Sequence, residues 1–279
     1  MRTYIFGKRN QIHIVDIRET IKGLVRACNF LTQLSQTGKQ IVFVGTKRQA
    51  KSLVQAEAQR TGMHFVSERW LGGTLTNYHT IRSRLKRLEE LESLEQTGAI
   101  EQYSKKRISA LRRERKKITR NLEGLRNLKA LPSALVIVDV RREHIAVQEA
   151  KKLGIPIVGL VDTDCDPTDI DIVIPGNDDA YRSVQQLLKI LGDSVILGRD
   201  KFIETQAAAE KARLEEAAKQ EAARKAAERD RKLLEEKAKA AAAAAKEKEK
   251  AKPAETPETP KTGDSSPAAD AENSPPASS

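Results

Sequence analysis

Basic side chains crowd residues 79–131 of this 279-residue chain. The segment holds 15 Lys and Arg against 7 Asp and Glu, whereas residues 132–200 hold 7 against 12. Like charges on neighbouring turns of a helix repel one another, so a helix surface of one sign is less stable alone than a mixed one. The pattern therefore favours contact with the phosphate backbone of a nucleic acid over a merely solvated helix surface.

The candidate phosphate ligands of this segment lie on two predicted helical arms: Arg82, Arg84, Lys86 and Arg87 on the first, and Lys105, Lys106, Arg107, Arg112, Arg113, Lys116, Lys117 and Arg120 on the second. Further candidates lie outside it: Lys8, Arg9, Lys47, Arg48 and Arg69. Arg69 and Trp70 precede two glycines and could bind a phosphate and stack on a base. For Trp70 we favour packing at the base of the arms, whereas for Arg69 both interpretations stay open.

Gly45-Thr46-Lys47 ends a predicted strand and precedes a helical pattern, which is where α/β proteins bind phosphate groups. The residue spacing of a Walker A loop is absent, and so is the G-x-G-x-x-G pattern of dinucleotide-binding folds. We therefore expect backbone N–H groups, together with Lys47 and Arg48, to contact an RNA phosphate here. A nucleotide site is the weaker interpretation.

Asp162-Thr163-Asp164-Cys165-Asp166-Pro167 follows a predicted strand and resembles the start of a calcium loop. Pro167 stands where that loop requires glycine, and no glutamate follows at the distance of its bidentate ligand. Because acidic residues also form turns at the end of a sheet, we expect a structural turn. A divalent cation held by Asp162, Asp164 and Asp166 is the alternative, and we predict no resident metal or cofactor.

Catalytic patterns are absent from the sequence. The four histidines lie in different predicted elements, and no serine or cysteine has a nucleophile-elbow context. The two cysteines, Cys28 and Cys165, are far apart, which indicates a reducing compartment without a disulfide framework. No apolar run approaches the length of about 20 residues that a membrane span needs. We predict a soluble, non-enzymatic protein of the cytoplasm, with an organelle matrix as the alternative.

Short β-rich runs alternate with helical patterns along the first two thirds of the chain. The predicted strands cover residues 11–17, 40–45, 64–67, 134–140, 156–161 and 170–174. The predicted helices cover residues 19–35, 47–60 and 143–153, and a further helix begins near residue 180. Strands separated by helices in this way form a parallel sheet covered on both faces. The prediction is a three-layer α/β domain of the flavodoxin or Rossmann type over residues 1–200.

Residues 77–128 interrupt this alternation with two amphipathic arms. Apolar side chains recur at spacings of three and four: Tyr78, Ile81, Leu85 and Leu88 in the first arm, and Ile108, Leu111, Ile118, Leu122 and Leu125 in the second. Gln96-Thr97-Gly98 supplies the turn, and Arg115 occupies a position of the apolar seam. The pattern predicts an antiparallel coiled-coil hairpin inserted into the α/β domain.

The C-terminal tail has two predicted parts. Residues 201–252 are mostly Ala, Glu, Lys and Arg, a composition that favours a solvated single helix. Residues 253–279 are rich in Pro, Ser, Thr and Ala, a composition typical of disorder. Residues 201–279 carry 16 Lys and Arg and 16 Asp and Glu, so the tail has no surplus charge for nucleic acid and we expect it to be dispensable.

Several motifs stand in order between Arg2 and about Leu191. They are Arg2-x-Tyr4-Ile5-Phe6-x-x-Arg9-Asn10-x-Ile12-His13-Ile14-Val15-Asp16, Phe43-Val44-Gly45-Thr46-Lys47-Arg48-Gln49-Ala50, Arg69-Trp70-Leu71-Gly72-Gly73-Thr74-Leu75-Thr76-Asn77, Glu149-Ala150-x-x-Leu153-Gly154-Ile155-Pro156, Val161-Asp162-Thr163-Asp164-Cys165-Asp166-Pro167 and Ile174-Pro175-Gly176-Asn177-Asp178-Asp179-Ala180. In this order the sequence resembles the small-subunit ribosomal protein S2 family of bacteria and organelles.

The resemblance implies a three-layer α/β domain with a coiled-coil insertion. It implies binding to ribosomal RNA on the solvent side of the small subunit, between head and body, in support of translation. It also implies neighbouring small-subunit proteins as partners, and help in docking the mRNA-binding ribosomal protein S1. The protein would then lie on the ribosome in the cytoplasm.

Met1 falls inside the opening motif of the family, whose members carry a further segment ahead of it with Gly-x-His-Phe-Gly-His and Trp-Asn-Pro patterns. Tyr4, Ile5 and Phe6 form an apolar cluster with little before it to cover them. We therefore expect the functional polypeptide to begin upstream of Met1. The alternative is a lineage that lost the segment and covers the cluster with ribosomal RNA or a neighbouring protein. Mass spectrometry of the N-terminal peptide from ribosomes tests the expected upstream start, and a peptide beginning at Met1 or Arg2 refutes it.

Two other classes of function stay open at this point. A nucleotide-binding enzyme would use Gly45-Thr46-Lys47 and Asp162, and nucleotide would stabilise it against heat. A scaffold protein would join protein partners through the hairpin and the tail, and would keep those partners in a nuclease-treated lysate.

Overall fold

The structure is a computed structural model that describes residues 1–249, with gaps among the side chains from residue 218 onward. It contains two compact units, Met1–Lys211 and a second unit that begins at Ala212. Three short 3₁₀ segments, Arg2–Tyr4, Ala99–Gln102 and Glu123–Leu125, accompany the described strands and helices of the first unit.

A small antiparallel hairpin opens the first unit. It pairs β1 (Ile5–Arg9) with β2 (Ile12–Val15) across a turn in which Asn10 and Gln11 have φ of 48° and 64°. The strand predicted over residues 11–17 corresponds to β2, but it pairs with a strand that the sequence did not predict and lies outside the main sheet. The turn lacks the glycine by which such turns are recognised in a sequence. Of the apolar cluster at the start, Phe6 is exposed.

A five-stranded parallel sheet forms the centre of the first unit. Its strands are β3 (Ile41–Val44), β4 (His64–Val66), β5 (Ala134–Val138), β6 (Ile157–Val161) and β7 (Ile172–Pro175). They lie in the order β4-β3-β5-β6-β7, with Val44 opposite both Val66 and Ile137. Every residue of β3, β5 and β6 is buried. Burial on both faces explains the continuous apolar runs that predicted these strands.

Helices cover both faces of this sheet. One face packs against α1 (Ile17–Gln36), α2 (Lys51–Thr61) and the first part of α6 (Tyr181–Glu249). The other packs against α5 (His144–Leu153) and against the hairpin of α3 (Tyr78–Gln96) and α4 (Lys105–Leu122). The predicted three-layer α/β architecture is confirmed, and the strand order is that of the flavodoxin type.

The start of α2 differs from the prediction, which placed it at residue 47. Residues 47–50 form a turn instead, and the carbonyl of Lys47 accepts hydrogen bonds from the N–H groups of Ala50 and Lys51 at 2.9 and 3.0 Å. The side chains of Thr46 and Lys47 at this turn are held by other elements, as described below. α2 ends at Gly62, in the left-handed conformation with φ of 70° that favours glycine at a helix end.

α6 is helical as far as Glu249. In the first unit it buries Val184, Leu188, Leu191 and Val195 against the sheet. In the second unit, Lys225 pairs with Glu221 at 2.7 Å, one helical turn apart. Residues 253–279, which we predict to be disordered, lie outside the described residues. Within residues 1–249, no helix combines the length and the apolar character needed to cross a membrane.

Candidate nucleic-acid interface

An apolar seam holds α3 and α4 together. Its side chains, none of them more than 8% exposed, come from both helices: Ile81, Leu85, Leu88, Leu91, Leu111, Ile118 and Leu122. The Tyr78 hydroxyl, at the start of α3, donates a hydrogen bond to the carbonyl of Leu128, beyond the end of α4. Arg115, which the sequence places in the seam, is half-buried and pairs with Glu95. The hairpin is therefore held from inside, and its outer faces are free for other contacts.

The basic side chains of α3 lie outside the seam. Arg87 is half-buried and pairs with Glu90 at 2.8 Å and with Glu114 at 3.5 Å. The other candidates on this helix are exposed and have no carboxylate within ion-pair distance in the described part of the chain: Arg82, Arg84 and Lys86.

Most basic side chains of α4 are also exposed, and among residues 1–249 no carboxylate pairs with them: Lys105, Lys106, Arg107, Arg113, Lys116 and Lys117. Arg112 lies 3.7 Å from Glu95. Nε and Nη2 of Arg120 donate to Oε2 of Glu68 at 3.0 and 2.8 Å, and Lys51 Nζ donates to the same oxygen at 3.0 Å. Hydrogen bonds from Arg120 and then Lys51 hold the pKa of Glu68 below its ordinary value. The surface of the hairpin therefore keeps a large uncompensated positive charge.

Four of the candidates outside the hairpin are exposed and free of carboxylate partners in the described structure. Lys8 and Arg9 lie on β1 beside the turn of the small hairpin. Arg48 lies in the turn before α2, and Arg69 lies in the loop between β4 and α3. Each keeps a charge that can meet a phosphate.

Lys47 is placed differently, in an acidic cluster made of Asp139, Asp162, Asp178 and Asp179. Its ammonium lies 2.8 Å from Asp178, 2.6 Å from Asp179 and 3.5 Å from Asp139. Burial lowers the pKa of Lys47, but the hydrogen bonds to Asp178 and Asp179 outweigh burial and raise it above its ordinary value. Burial raises the pKa of Asp178 to about 6, although the hydrogen bond from Lys47 acts against this. The ammonium of Lys47 is thus already paired with carboxylates of the protein itself.

Thr46 is held by a second buried carboxylate at the same edge of the sheet. Its N–H and hydroxyl donate to Oε1 of Glu143 at 3.1 and 2.5 Å, and Arg142 Nε donates to the hydroxyl of Thr46 at 2.9 Å. Burial raises the pKa of Glu143, and the hydrogen bonds from Thr46 only partly offset this. The position where a phosphate loop would lie in a nucleotide-binding protein is therefore lined by carboxylates.

The three aspartates considered as an alternative cation site are not brought together. Asp164 pairs with Arg141 at 2.8 Å. Asp166 accepts hydrogen bonds from the N–H and the hydroxyl of Thr168 at 3.1 and 2.6 Å, as a turn-forming aspartate does. Asp162 instead lies in the acidic cluster, where its carboxylate approaches those of Asp178 and Asp179.

A buried glutamate of α5 organises the loop of residues 69–77. Oε1 of Glu149 accepts from Trp70 Nε1 at 3.2 Å and from the N–H of Gly73 at 2.7 Å. Oε2 accepts from the N–H groups of Leu75 and Thr76 at 2.9 and 3.1 Å and from the Thr76 hydroxyl at 3.2 Å. Burial raises the pKa of Glu149, but the hydrogen bonds from Leu75, Thr76 and Gly73 outweigh it and lower the pKa. Trp70 is 5% exposed, in agreement with the packing role we favour.

Sequence reasoning missed Glu149, Asp139, Asp178 and Asp179. For Glu149, the available signal is its position as an acidic residue on the apolar face of the helix predicted over residues 143–153. For the others, the signal is their position: Asp139 directly follows β5, and Asp178 and Asp179 shortly follow β7. The carboxyl ends of parallel strands meet at one edge of a sheet, so these side chains must converge.

Comparison with known proteins agrees with the α/β fold. A family model described as Ribosomal protein S2 matches residues 1–198. A small ribosomal subunit protein uS2 from Rhodopirellula baltica is 56% identical over 218 residues, which are 78% of this chain and 84% of the relative. One from Chlorobium luteolum, of the same name, is 48% identical over 210 residues, which are 75% and 83% of the two chains. The chain therefore belongs to the ribosomal protein S2 family.

Proposed function

We propose that this chain is a structural, non-catalytic constituent of the small ribosomal subunit and binds ribosomal RNA through its α3–α4 hairpin. The observation that carries the proposal is the set of exposed, unpaired cations on a hairpin whose own stability comes from a buried apolar seam. The family and the names of the two relatives support the first part of the proposal, a structural constituent of the small ribosomal subunit.

The placement of the charges argues against a purely structural role for them. Lys105, Lys106 and Arg107 form the first turn of α4, where the positive end of the helix dipole makes cations unfavourable. The described structure provides no carboxylates to compensate them, so their arrangement costs the free protein stability. Phosphate groups of RNA would remove that cost and release counterions.

The proposed RNA-binding residues are those whose charge is free or partly free. They include the candidate cations of α3 and α4 named in the sequence analysis, without Arg115, together with Lys8, Arg9, Arg48 and Arg69. Lys47 is left out because three carboxylates already surround its ammonium. From the resemblance we also propose a cytoplasmic location on the ribosome, neighbouring small-subunit proteins as partners, and help in docking ribosomal protein S1.

The salt dependence of RNA binding tests this proposal. Replacing Arg112, Arg113, Lys116 and Lys117 with Gln should weaken binding to small subunits that lack this protein, and should reduce the slope of log affinity against log salt by about one unit per lost phosphate contact. The melting temperature should barely change because the seam is intact.

A matched control removes the same number of exposed cations from elsewhere in the first unit. Lys39, Lys152, Arg182 and Lys189 are exposed and unpaired within the described residues, and replacing them with Gln should leave the salt slope unchanged. If the hairpin variant and this control gave the same slope as the unaltered protein, the hairpin would not be the RNA-binding surface.

The edge of the sheet argues against a nucleotide-binding enzyme. The N–H of Thr46 already donates to Glu143, and Lys47 already pairs with Asp178 and Asp179. A nucleotide phosphate would therefore meet carboxylates there. We expect ATP, with or without Mg²⁺, to leave the melting temperature unchanged. A rise in melting temperature that Lys47→Gln abolishes would revive the enzyme interpretation.

A further inference from the structure

A groove runs along one side of the hairpin, where α3, α4 and the loop of residues 69–77 meet. Its volume is about 690 Å³. Its apolar lining includes Leu71, Ile81 and Ile118, which form the floor, and the rim carries four cations: Arg84, Arg87, Arg113 and Lys117. A second depression, between Arg82, Lys86 and Lys129 on the opposite side of α3, has a volume of about 330 Å³. The two sides of the hairpin are therefore both basic, but the groove has about twice the volume of the second depression.

The rim of the groove carries a net positive charge. Arg84, Arg113 and Lys117 have no ion-pair partner within residues 1–249. Glu114, a carboxylate of the same lining, lies 3.5 Å from Arg87, which offsets its charge. An anionic ligand is therefore favoured over a cationic one.

Polar groups of the groove are also free to recognise a ligand. Oδ1 of Asn77 accepts from the Thr80 hydroxyl at 2.8 Å, which leaves its NH₂ group available. The half-buried amide of Asn121 has no hydrogen-bond partner in the described part of the chain, so it can both donate and accept. Amides of this kind pair with the edges of nucleic-acid bases.

The size and the apolar floor select among anionic ligands. A volume of about 690 Å³ lies within the range of small-molecule sites and accommodates one base with its ribose. A duplex would touch the rim through its phosphates and leave the aliphatic floor uncovered. An unpaired nucleotide would cover the floor with its base, as unstacked bases of RNA do on protein side chains.

We propose that this groove takes one unpaired nucleotide of ribosomal RNA, with its base on the aliphatic floor and its phosphate on Arg84, Arg113 and Lys117. The inference rests on the proposed function and adds a base-binding site to a surface that otherwise contacts phosphates. Asn77 and Asn121 face the edge of the base.

Gly72→Leu tests the site without removing charge. Gly72 lines the groove, a Cβ there would meet no atom within 4 Å, and its backbone is not in the left-handed region. A leucine should project into the groove, obstruct the base and weaken binding to small subunits lacking this protein by about tenfold, the range for loss of one stacked base. The salt slope should stay unchanged. Gly7→Leu is the control, because Gly7 also has open space around it, on β1.

Chemical probing of the RNA locates the nucleotide. One nucleotide should be protected from base-specific reagents by the unaltered protein and by Gly7→Leu, and should become reactive with Gly72→Leu. Asn121→Ala, which removes a recognition group and adds no bulk, should expose the same nucleotide. This second variant keeps the test decisive if Gly72→Leu lowers the melting temperature.

A pair of triple variants separates this inference from the proposed function. Arg84, Arg113 and Lys117 are replaced with Gln in one variant, and Arg82, Lys86 and Lys129 in the other. Both should lower the salt slope, but only the first should expose the nucleotide.

The outcomes of these variants are distinguishable. If neither triple variant changes the slope, the proposed function fails. If the slopes change while Gly72→Leu and Asn121→Ala leave binding and protection intact, only the nucleotide site fails. Loss of a neighbouring ribosomal protein with Gly72→Leu, without RNA changes, would show a protein segment in the groove and overturn it.

Discussion

At the scale of single residues, buried carboxylates fix the backbone that carries the basic surface. Glu149 gathers donors from Trp70, Gly73, Leu75 and Thr76, and thereby sets the path of the chain into α3. Such a carboxylate is costly to bury and is stabilised only when its oxygens are fully hydrogen-bonded. A glutamine at this position could accept some of these hydrogen bonds through its oxygen, but its NH₂ group would face backbone N–H groups, which are also donors.

Glu149→Gln should therefore lower the free energy of unfolding of the full chain by about 2–3 kcal/mol at neutral pH. The folded pKa of Glu149 is depressed below its ordinary value near 4.5, so its contribution is present above that pH and is lost as the pH falls through the folded pKa. The difference between the two proteins should shrink in acid, as measured by urea unfolding across pH.

Glu143→Gln provides a matched comparison in which the stability difference should change with pH in the opposite direction. The pKa of Glu143 is raised, so its contribution is fully present below the ordinary pKa and is lost as the pH rises through the raised value. The cost of Glu143→Gln should therefore be larger in acid than at neutral pH. Parallel pH trends for the two variants would contradict this assignment of the carboxylates.

Lys47 shows what a sequence can and cannot tell at this scale. Its position after a buried strand predicts a phosphate contact, and the structure gives it carboxylates instead. Asp139 and Asp178 are remote from it in sequence, and only the parallel strand order brings them to it. The exposed cations of α3 and α4 could be predicted more directly, because helical spacing alone separates them from the seam.

At the scale of elements, the helical hairpin separates stability from binding. Its seam follows from apolar spacing, and the structure buries the predicted positions Ile81, Leu85 and Leu88. The contact that docks the hairpin to the sheet could not be predicted, because it depends on a close approach of two backbones. A Cβ at Gly124 would lie 2.2 Å from the carbonyl oxygen of Phe65 and 2.7 Å from its ring.

Gly124→Ala should for this reason force the end of the hairpin away from β4 and lower the free energy of unfolding by about 1–3 kcal/mol, the usual cost of overpacking. Gly72→Ala, at an open position of the same region, should change the free energy of unfolding by about a few tenths of a kcal/mol at most. Urea unfolding followed by circular dichroism measures both. Equal stability of the two variants would show that the close approach to Phe65 is relieved at no cost.

At the scale of the whole molecule, the surplus of positive charge lies in the first unit and is not spread evenly along the chain. The surplus lies in residues 1–131, whereas residues 201–279 carry equal numbers of acidic and basic side chains. The order of the strands is seen only in the structure, but the parallel sheet and the burial of its strands follow from the sequence because of the long apolar runs and the intervening helices. The small β1–β2 hairpin does not, since its turn carries Asn10 and Gln11 rather than glycine.

Removal of residues 212–279 should leave the first unit and its RNA binding unchanged. Within the described structure, the buried side chains of α6 lie at Val184, Leu188, Leu191 and Val195, all before this cut, and Leu214 beyond it is 64% exposed. The removed segment adds no net charge, so the salt slope should also stay the same. Thermal unfolding, the salt slope and occupancy on small subunits measure the three outcomes. A truncated protein that melts normally and binds with the same slope, yet is lost from subunits in cells, would show that the second unit recruits a protein partner.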